Sequence, residues 1–354
     1  MDISLEDIWQ DYGLDELQEG LNTLFPEHTF SLWELLEKVL AGDIMGALGC
    51  LYEGSIGNII SQMAGLRDIL LWLLLLGIAS SILTHFVEIF DRHQIADLGY
   101  YFMYLLFVVI LFQCFKQTSE TALETMESIV LFIQMMVPTY LLAVGVATGV
   151  ATVGAYSQLL LLLVYGVERL LSGWVHSLIS VYVVLSVVNG IWIEEKLSLL
   201  VELVGKLISL ILKAALGIVT GISIFQTLIT PVIDSARSSI LQKVISVVPG
   251  IGNMAEGVVE LVVGSAVVIK NSIGVLLLIL LIWMCIVPLL KIYIIAWLLK
   301  LAAALLGMIS DKRLVSCTNQ MGEGCMLMFR TAGTSMLLFV IVLSVLATAT
   351  NRGF

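Results

Sequence analysis

The sequence predicts an all-α fold, a polytopic transmembrane helical protein with short amphipathic helices at its N-terminal side. Three observations carry this. Of its 354 residues 59% are apolar and only 13% charged, against about 25% charged in an ordinary soluble domain. Apolar windows of about 18 residues or more recur along the chain, the length needed to cross a hydrocarbon core of about 30 Å. These runs are continuous and leucine-rich, whereas the strands of a transmembrane barrel alternate in polarity.

Residues 1–67 form a first, acidic amphipathic helical region. They hold twelve of the acidic residues against Lys38 and Arg67, so almost all of the net charge of −11 lies there. Such a segment repels nucleic acid and anionic headgroups, so no nucleic-acid partner is expected. Leu14, Leu17, Leu21 and Leu24 recur at helical spacing, Pro26 ends that element, and Ser31-Leu-Trp-Glu34 is a capping-box pattern opening the next. Gly46, Gly49, Gly54 and Gly57 are then expected to loosen the chain. An apolar stripe generally means packing, and these helices read as a small cap or as interfacial helices against the membrane part.

Residues 68–354 read as a multi-spanning domain of about 8–10 hydrophobic segments, near 68–86, 99–115, 129–149, 155–172, 173–192, 207–229, 254–270, 271–290, 291–308 and 326–349. Short joins between them imply tight hairpins or re-entrant pieces. The loops Val87–Leu98, with Arg92, and Ser310–Gly324, with Lys312 and Arg313, are expected inside; the loop Lys116–Ser128, with three glutamates and one lysine, is expected outside. That leaves residues 1–67 extracytoplasmic, and parity then requires 254–270 to cross. The opening MDISLEDIWQ lacks the basic start and early apolar run of a leader. An outside N-terminal region therefore needs either a leader removed from this sequence or a first span inserted N-end-out.

The stretch Val247–Gly274, VVPGIGNMAEGVVELVVGSAVVIKNSIG, is apolar enough for lipid yet broken and charged. Backbone freed by a helix break at membrane depth is tolerated only where it is buried in protein or lines a cavity. Pro249, Gly250 and Gly252 make a turn before a helix that begins near Met254, with Glu256 and Glu260 one turn apart. Gly257, Gly264, Ser265 and Ala266 give it a smooth face for a second helix. Lys270 either snorkels or pairs structurally, or it marks a wet pathway or an inter-subunit contact. Lys213 shares with Lys270 the pattern lysine, three residues, glycine, here Gly217 and Gly274, and both follow a Val-Glu-Leu-Val run. That hints at an internal repeat of the kind transporters use. These residues, Pro249, Gly250, Gly252, Glu256, Glu260, Gly264, Lys270, Gly274 and Lys213, are the candidate pore-lining or subunit-contact set.

Glu168-Arg169 is a further charged pair at membrane depth, expected near a span's end. Pro138 and Pro288 are expected to kink their helices, and the glycine-rich run after Pro138 serves either close packing or a gate. Five cysteines form no CxxC pair and read as buried thiols, and the four histidines are scattered, so no metal or cofactor is expected. HExxH, GxSxG and the phosphate-binding GxxxxGK[ST] are absent, which argues against an enzyme. Gly250-Ile-Gly-Asn253 is similar to the GxGD of intramembrane aspartyl proteases, but asparagine stands where the catalytic carboxylate would be.

Residues from about 130 to 349 resemble the stage III sporulation protein AE family of endospore-forming bacteria. The resemblance rests on Val137-Pro-Thr-Tyr140, Pro249-Gly-Ile-Gly252 with Val262-Val-Gly264, Ile269-Lys-Asn-Ser-Ile-Gly-Val275, Val287-Pro-Leu-Leu-Lys291 and Asp311-Lys-Arg-Leu-Val-Ser-Cys317, together and in this order. It implies a non-enzymatic, permease-like or pore-forming membrane component of the channel linking mother cell and forespore, supporting forespore development. It also implies residence in the mother-cell-derived outer membrane of the forespore. The implied partners are other proteins of the same operon, including an ATPase and ring-forming proteins, a forespore membrane protein reached through them, and further copies of the chain. The alternative is a stand-alone secondary transporter of a small solute, for which the lysine repeat is the support.

Overall fold

The computed structural model describes residues 18–22, 31–53, 71–82, 93–148, 162–191, 196–245, 252–308, 310 and 312–351; in parts of the long helices, including 252–271, only the backbone path is described. Among these residues the chain is helical apart from short links and has no strand. In chain order the helices are α1 (Leu32–Leu40), α2 (Ile44–Glu53) and α3 (Leu71–Ile82), then α4 (His93–Thr148) and α5 (residues 162–170), which a π turn (Leu171–Val175) joins to α6 (His176–Ile191). After them come α7 (Ser198–Ile245), α8 (Gly252–Leu306) and α9 (Lys312–Asn351).

The N-terminal helices are stopped and started by specific hydrogen bonds. After α1 the Asp43 N–H donates to the Lys38 carbonyl and the Gly42 N–H to that of Val39, with Gly42 at φ +77°, a left-handed stop that suits glycine. Asp43 then caps α2 by accepting the Gly46 N–H at 2.8 Å. Gly46 and Gly49 therefore lie inside a helix instead of loosening the chain. Ser31 sits at the N-cap of α1 without a side-chain bond; the expected capping box is replaced by Gln18, whose Oε1 accepts the Leu32 N–H at 2.7 Å. The buried stripe Leu32, Leu35, Leu36 and Val39 belongs to the common core, where α1 packs on α8 and α2, and Gly20 rests against the Met135 thioether of α4.

Among the described residues four helices are long and apolar enough to cross a membrane: Tyr101–Met136, Leu162–Gly190, Ser272–Leu306 and Lys312–Ser344. At about 1.5 Å per residue each is longer than a core of about 30 Å. Several expected loops are absent. The segment Lys116–Ser128 is continuous helix within α4: it contains no Gly or Pro, and the hydroxyls of Thr118, Thr121 and Thr125 each donate to the carbonyl four residues back. Segments 155–172 and 173–192 are not a hairpin, since the π turn carries the chain straight through. Segments 254–270, 271–290 and 291–308 lie on the single helix α8, which runs through Lys270 and Pro288, and 312–324 is the first part of α9. With 116–128 and 312–324 helical, the loop-charge comparison loses two of its three loops, while half of the third, 87–92 with Arg92, lies outside the described residues.

The α8–α9 turn is a tight hairpin. Lys300 Nζ lies 2.6 Å from Glu323 Oε2, with Arg330 3.7 Å from the other oxygen, and the Tyr293 and Phe329 rings are 5.3 Å apart. α9 is antiparallel to α5–α6, with Gly190 against Cys317, Gly324 against Val183, and Ser335 bonded to Glu168. α4 is also antiparallel to α5–α6: the Tyr104 hydroxyl donates to the Val187 carbonyl at 2.8 Å, and Ser119 Oγ lies 3.1 Å from His176 Nε2. Phe115 of α4 meets α9 at Gly324, so those two helices run parallel. α9 is the most enclosed helix, its buried Thr318 and Thr331 satisfied by their own backbone.

Two consequences are measurable. A methyl at Gly324 would collide with Val183, so Gly324→Ala should lower stability by about 1–3 kcal/mol. Gly217→Ala on α7, where nothing stands within 4 Å, should be neutral or stabilising; thermal unfolding in detergent compares them. For the interhelical ion pair, Lys300→Met or Glu323→Gln alone should cost about 1–3 kcal/mol and the double change less than their sum, read by a double-mutant cycle.

Candidate functional site

The registers just described fix which residues share a level in the bundle, and at shared levels the two sides of the bundle differ. From Leu301 back to Val275, α8 turns Trp297, Tyr293, Leu290, Ile286 and Ile282 outward, with Lys291 half-buried among them. At the same levels α4 turns outward Gln113, Lys116, Gln117, Glu120, Glu124, Glu127 and Gln134, broken only by Leu131. These positions recur every three or four residues, so they form one stripe. Over 21 residues it rises about 32 Å, roughly the thickness of the hydrocarbon core. The opposite side of α4, with Ala122, Met126, Ile129, Phe132 and Ile133, is buried in the bundle.

Beside the lower half of this stripe lies a cleft of about 250 Å³ between α4 and α5, lined by Met126, Glu127, Val130, Leu131, Gln134, Tyr165, Glu168, Arg169 and Ser172. Glu168 is its enclosed charged member, only 1% exposed. One carboxylate oxygen accepts the Ser335 hydroxyl of α9 at 2.6 Å, and the other has no hydrogen-bond partner. Cys285 of α8 is within electrostatic reach. The register of the α8–α9 hairpin brings Pro288 to within about a turn of Ser335. Glu168 is thus level with the middle of the outward apolar run of α8, and on its own helix it stands near the start of the described span Leu162–Gly190.

Two backbone irregularities bracket this carboxyl. Pro288 lacks the N–H that would meet the Met284 carbonyl. The π turn begins three residues after Glu168, and single π turns inside helices concentrate at functional sites. One turn further on, His176 has Nε2 beside Ser119 and a buried Nδ1 without a partner.

Of the candidate pore-lining or subunit-contact set, no residue that is described lines this cleft. Pro249 and Gly250 lie outside the described residues; Gly252 is the first residue of α8. Glu256, Glu260, Gly264 and Lys270 follow on the helical backbone of α8 with side chains outside the description, and Gly274 is buried. Lys213 is exposed on α7. On that helix, outside the four long apolar spans, a hydrogen bond from Lys206 at 2.6 Å holds the Glu202 carboxyl below its usual range. Sequence reading passed over the α4 stripe because its hydropathy was averaged into two spans and a loop; plotted on one helix, the spacing of Gln113, Gln117, Glu120, Glu124 and Glu127 reveals it. Among the described residues no group of three His, Cys, Asp or Glu is arranged to hold a metal ion.

Comparison with known proteins agrees with a membrane bundle of this kind. The model of the family described as stage III sporulation protein AE matches residues 30–350. The stage III sporulation protein AE of Bacillus subtilis (strain 168) is 23% identical over 280 residues, covering 79% of this chain and 70% of the relative. No solved structure matches the chain. With nearly its whole length matched and four helices able to cross a bilayer, the chain belongs to the stage III sporulation protein AE family and is an integral membrane protein of sporulation.

Proposed function

We propose that this protein is a non-enzymatic core component of the channel between mother cell and forespore, and that the polar stripe of α4 borders its water-filled path. The carrying observation is the outward row Gln113, Gln117, Glu120, Glu124, Glu127 and Gln134 at the levels where α8 presents Trp297, Tyr293, Ile286 and Ile282. Charged groups facing acyl chains are costly, so such residues face a bundle interior or a water-filled cavity. One chain supplies one polar wall, and several copies, or copies with other membrane subunits, close it.

The family match supports a role with other sporulation proteins. Within the proposal these are products of the same operon, including an ATPase and ring-forming proteins, and a forespore membrane protein reached through them. The location is the mother-cell-derived outer membrane of the forespore, with the acidic residues 1–67 on the extracytoplasmic side. The broken, charged stretch from Pro249 to Gly274 remains in this proposal as a subunit-contact element.

In a chain carrying Cys50→Ser, a single cysteine at position 117, 124 or 127 should react in sporulating cells with a membrane-impermeant maleimide above the background of the other four cysteines, Cys114, Cys285, Cys317 and Cys325, which are buried. Ile286→Cys and Tyr293→Cys should stay unlabelled. Labelling of the α8 positions with none on α4 would overturn the assignment.

A further inference from the structure

We propose that Glu168 is a proton-binding site at the middle of the membrane bundle, exchanging its proton with water in the α4–α5 cleft. The comparison with Glu323 shows why. Glu323, near the end of the outward apolar run of α8, meets two cations, Lys300 at 2.6 Å and Arg330 at 3.7 Å, so its charge has structural partners. Glu168 is far more enclosed and among the described residues meets none: its bonded partner there is a serine hydroxyl, and Oε1 is left open. Two glutamates in one bundle thus occupy environments suited to different roles.

Among the described residues, the charged and titratable groups around it lie on its own helix, where exposed Tyr165 also lines the cleft, and on α4, α8 and α9. Arg169, next in sequence, is exposed on the cleft wall and makes no ion pair. From α4 comes Glu127, exposed at the cleft mouth; from α8 come Cys285, buried, and Lys291, half-buried and without an ion pair; His176 lies about two turns along the same helical run. From α9 the facing groups are Ser335 and Thr331, which do not titrate, with Arg330 turned outward toward Glu323. None of these neutralises Glu168 by contact.

A bound metal cation fits poorly, since such ions take about six or more oxygen ligands, the groups in bonding contact at Glu168 are Oε1, Oε2 and the Ser335 hydroxyl, and no group of three His, Cys, Asp or Glu is gathered among the described residues. A proton needs one. The exchange balances as a carboxylate plus hydronium giving a carboxylic acid plus water, with Oε1 taking the proton and the Ser335 hydroxyl remaining a donor to Oε2. The cleft, the π turn at Leu171–Val175 and the level of Pro288 supply the access and the adjustable backbone that such an exchange uses.

Infrared difference spectroscopy on the full chain in lipid bilayers, stepped from acid to alkaline pH, reads the site directly. A protonated-carboxyl band should disappear as pH rises, exchange promptly in deuterated water, and be missing in Glu168→Gln, which keeps an acceptor for Ser335. Ser335→Ala should move the band by removing its hydrogen bond, and this second variant assigns the band should the first not fold. A band that never titrates, a band insensitive to both substitutions, or the lack of any such band across the pH range would overturn the proposal.

Discussion

A polar side chain on the outside of a membrane bundle has to meet water or another protein, because acyl chains offer it no hydrogen bond. That constraint organises this molecule. Where α8 turns leucine, isoleucine, valine and aromatic side chains outward, α4 turns outward glutamine, lysine and glutamate along a length comparable to the hydrocarbon core. The bundle is amphipathic across its width, not only along its helices.

The interior follows the same rule at closer quarters. Buried threonines return their hydroxyls to their own helices, Tyr104 reaches the Val187 carbonyl, and Glu323 collects Lys300 and Arg330. Small residues let α9 run through the centre, as at Gly322 against Ala296 and Leu299 and at Gly324 against Val183. Among the described residues four buried side-chain atoms are left unpaired, on Glu168, His176, Ser310 and Gln320, and the first two stand on the helical run that a π turn interrupts. Structure that stores an unsatisfied group beside a backbone irregularity has the character of a working part.

Helical class, membrane residence and family were legible in the sequence, because composition and continuous apolar runs suffice for the first two and ordered motifs for the third. Element boundaries were less so. Charge at Lys116, Glu120, Glu124 and Glu127 suggested a loop, yet the segment lacks any helix stop, and its threonines and its Lys116–Glu120 pair suit a helix. The Ser31 capping box was locally plausible but lost its place to Gln18, fourteen residues away, a partner that no local pattern reveals. Glu168 was visible as a charge, whereas its depth depends on the pairing of α5 with α9 through Ser335, a contact across 167 positions of sequence.

The central claim, that the outer face of α4 borders water and that of α8 borders lipid, is tested most directly by nitroxide labels at positions 127 and 286 in reconstituted bilayers. Their collision rates with a water-soluble paramagnetic reagent and with oxygen give the environment of each. The account predicts that position 127 favours the water-soluble reagent and position 286 favours oxygen, although both lie at one level of the bundle. Oxygen-dominated relaxation at both positions would contradict it.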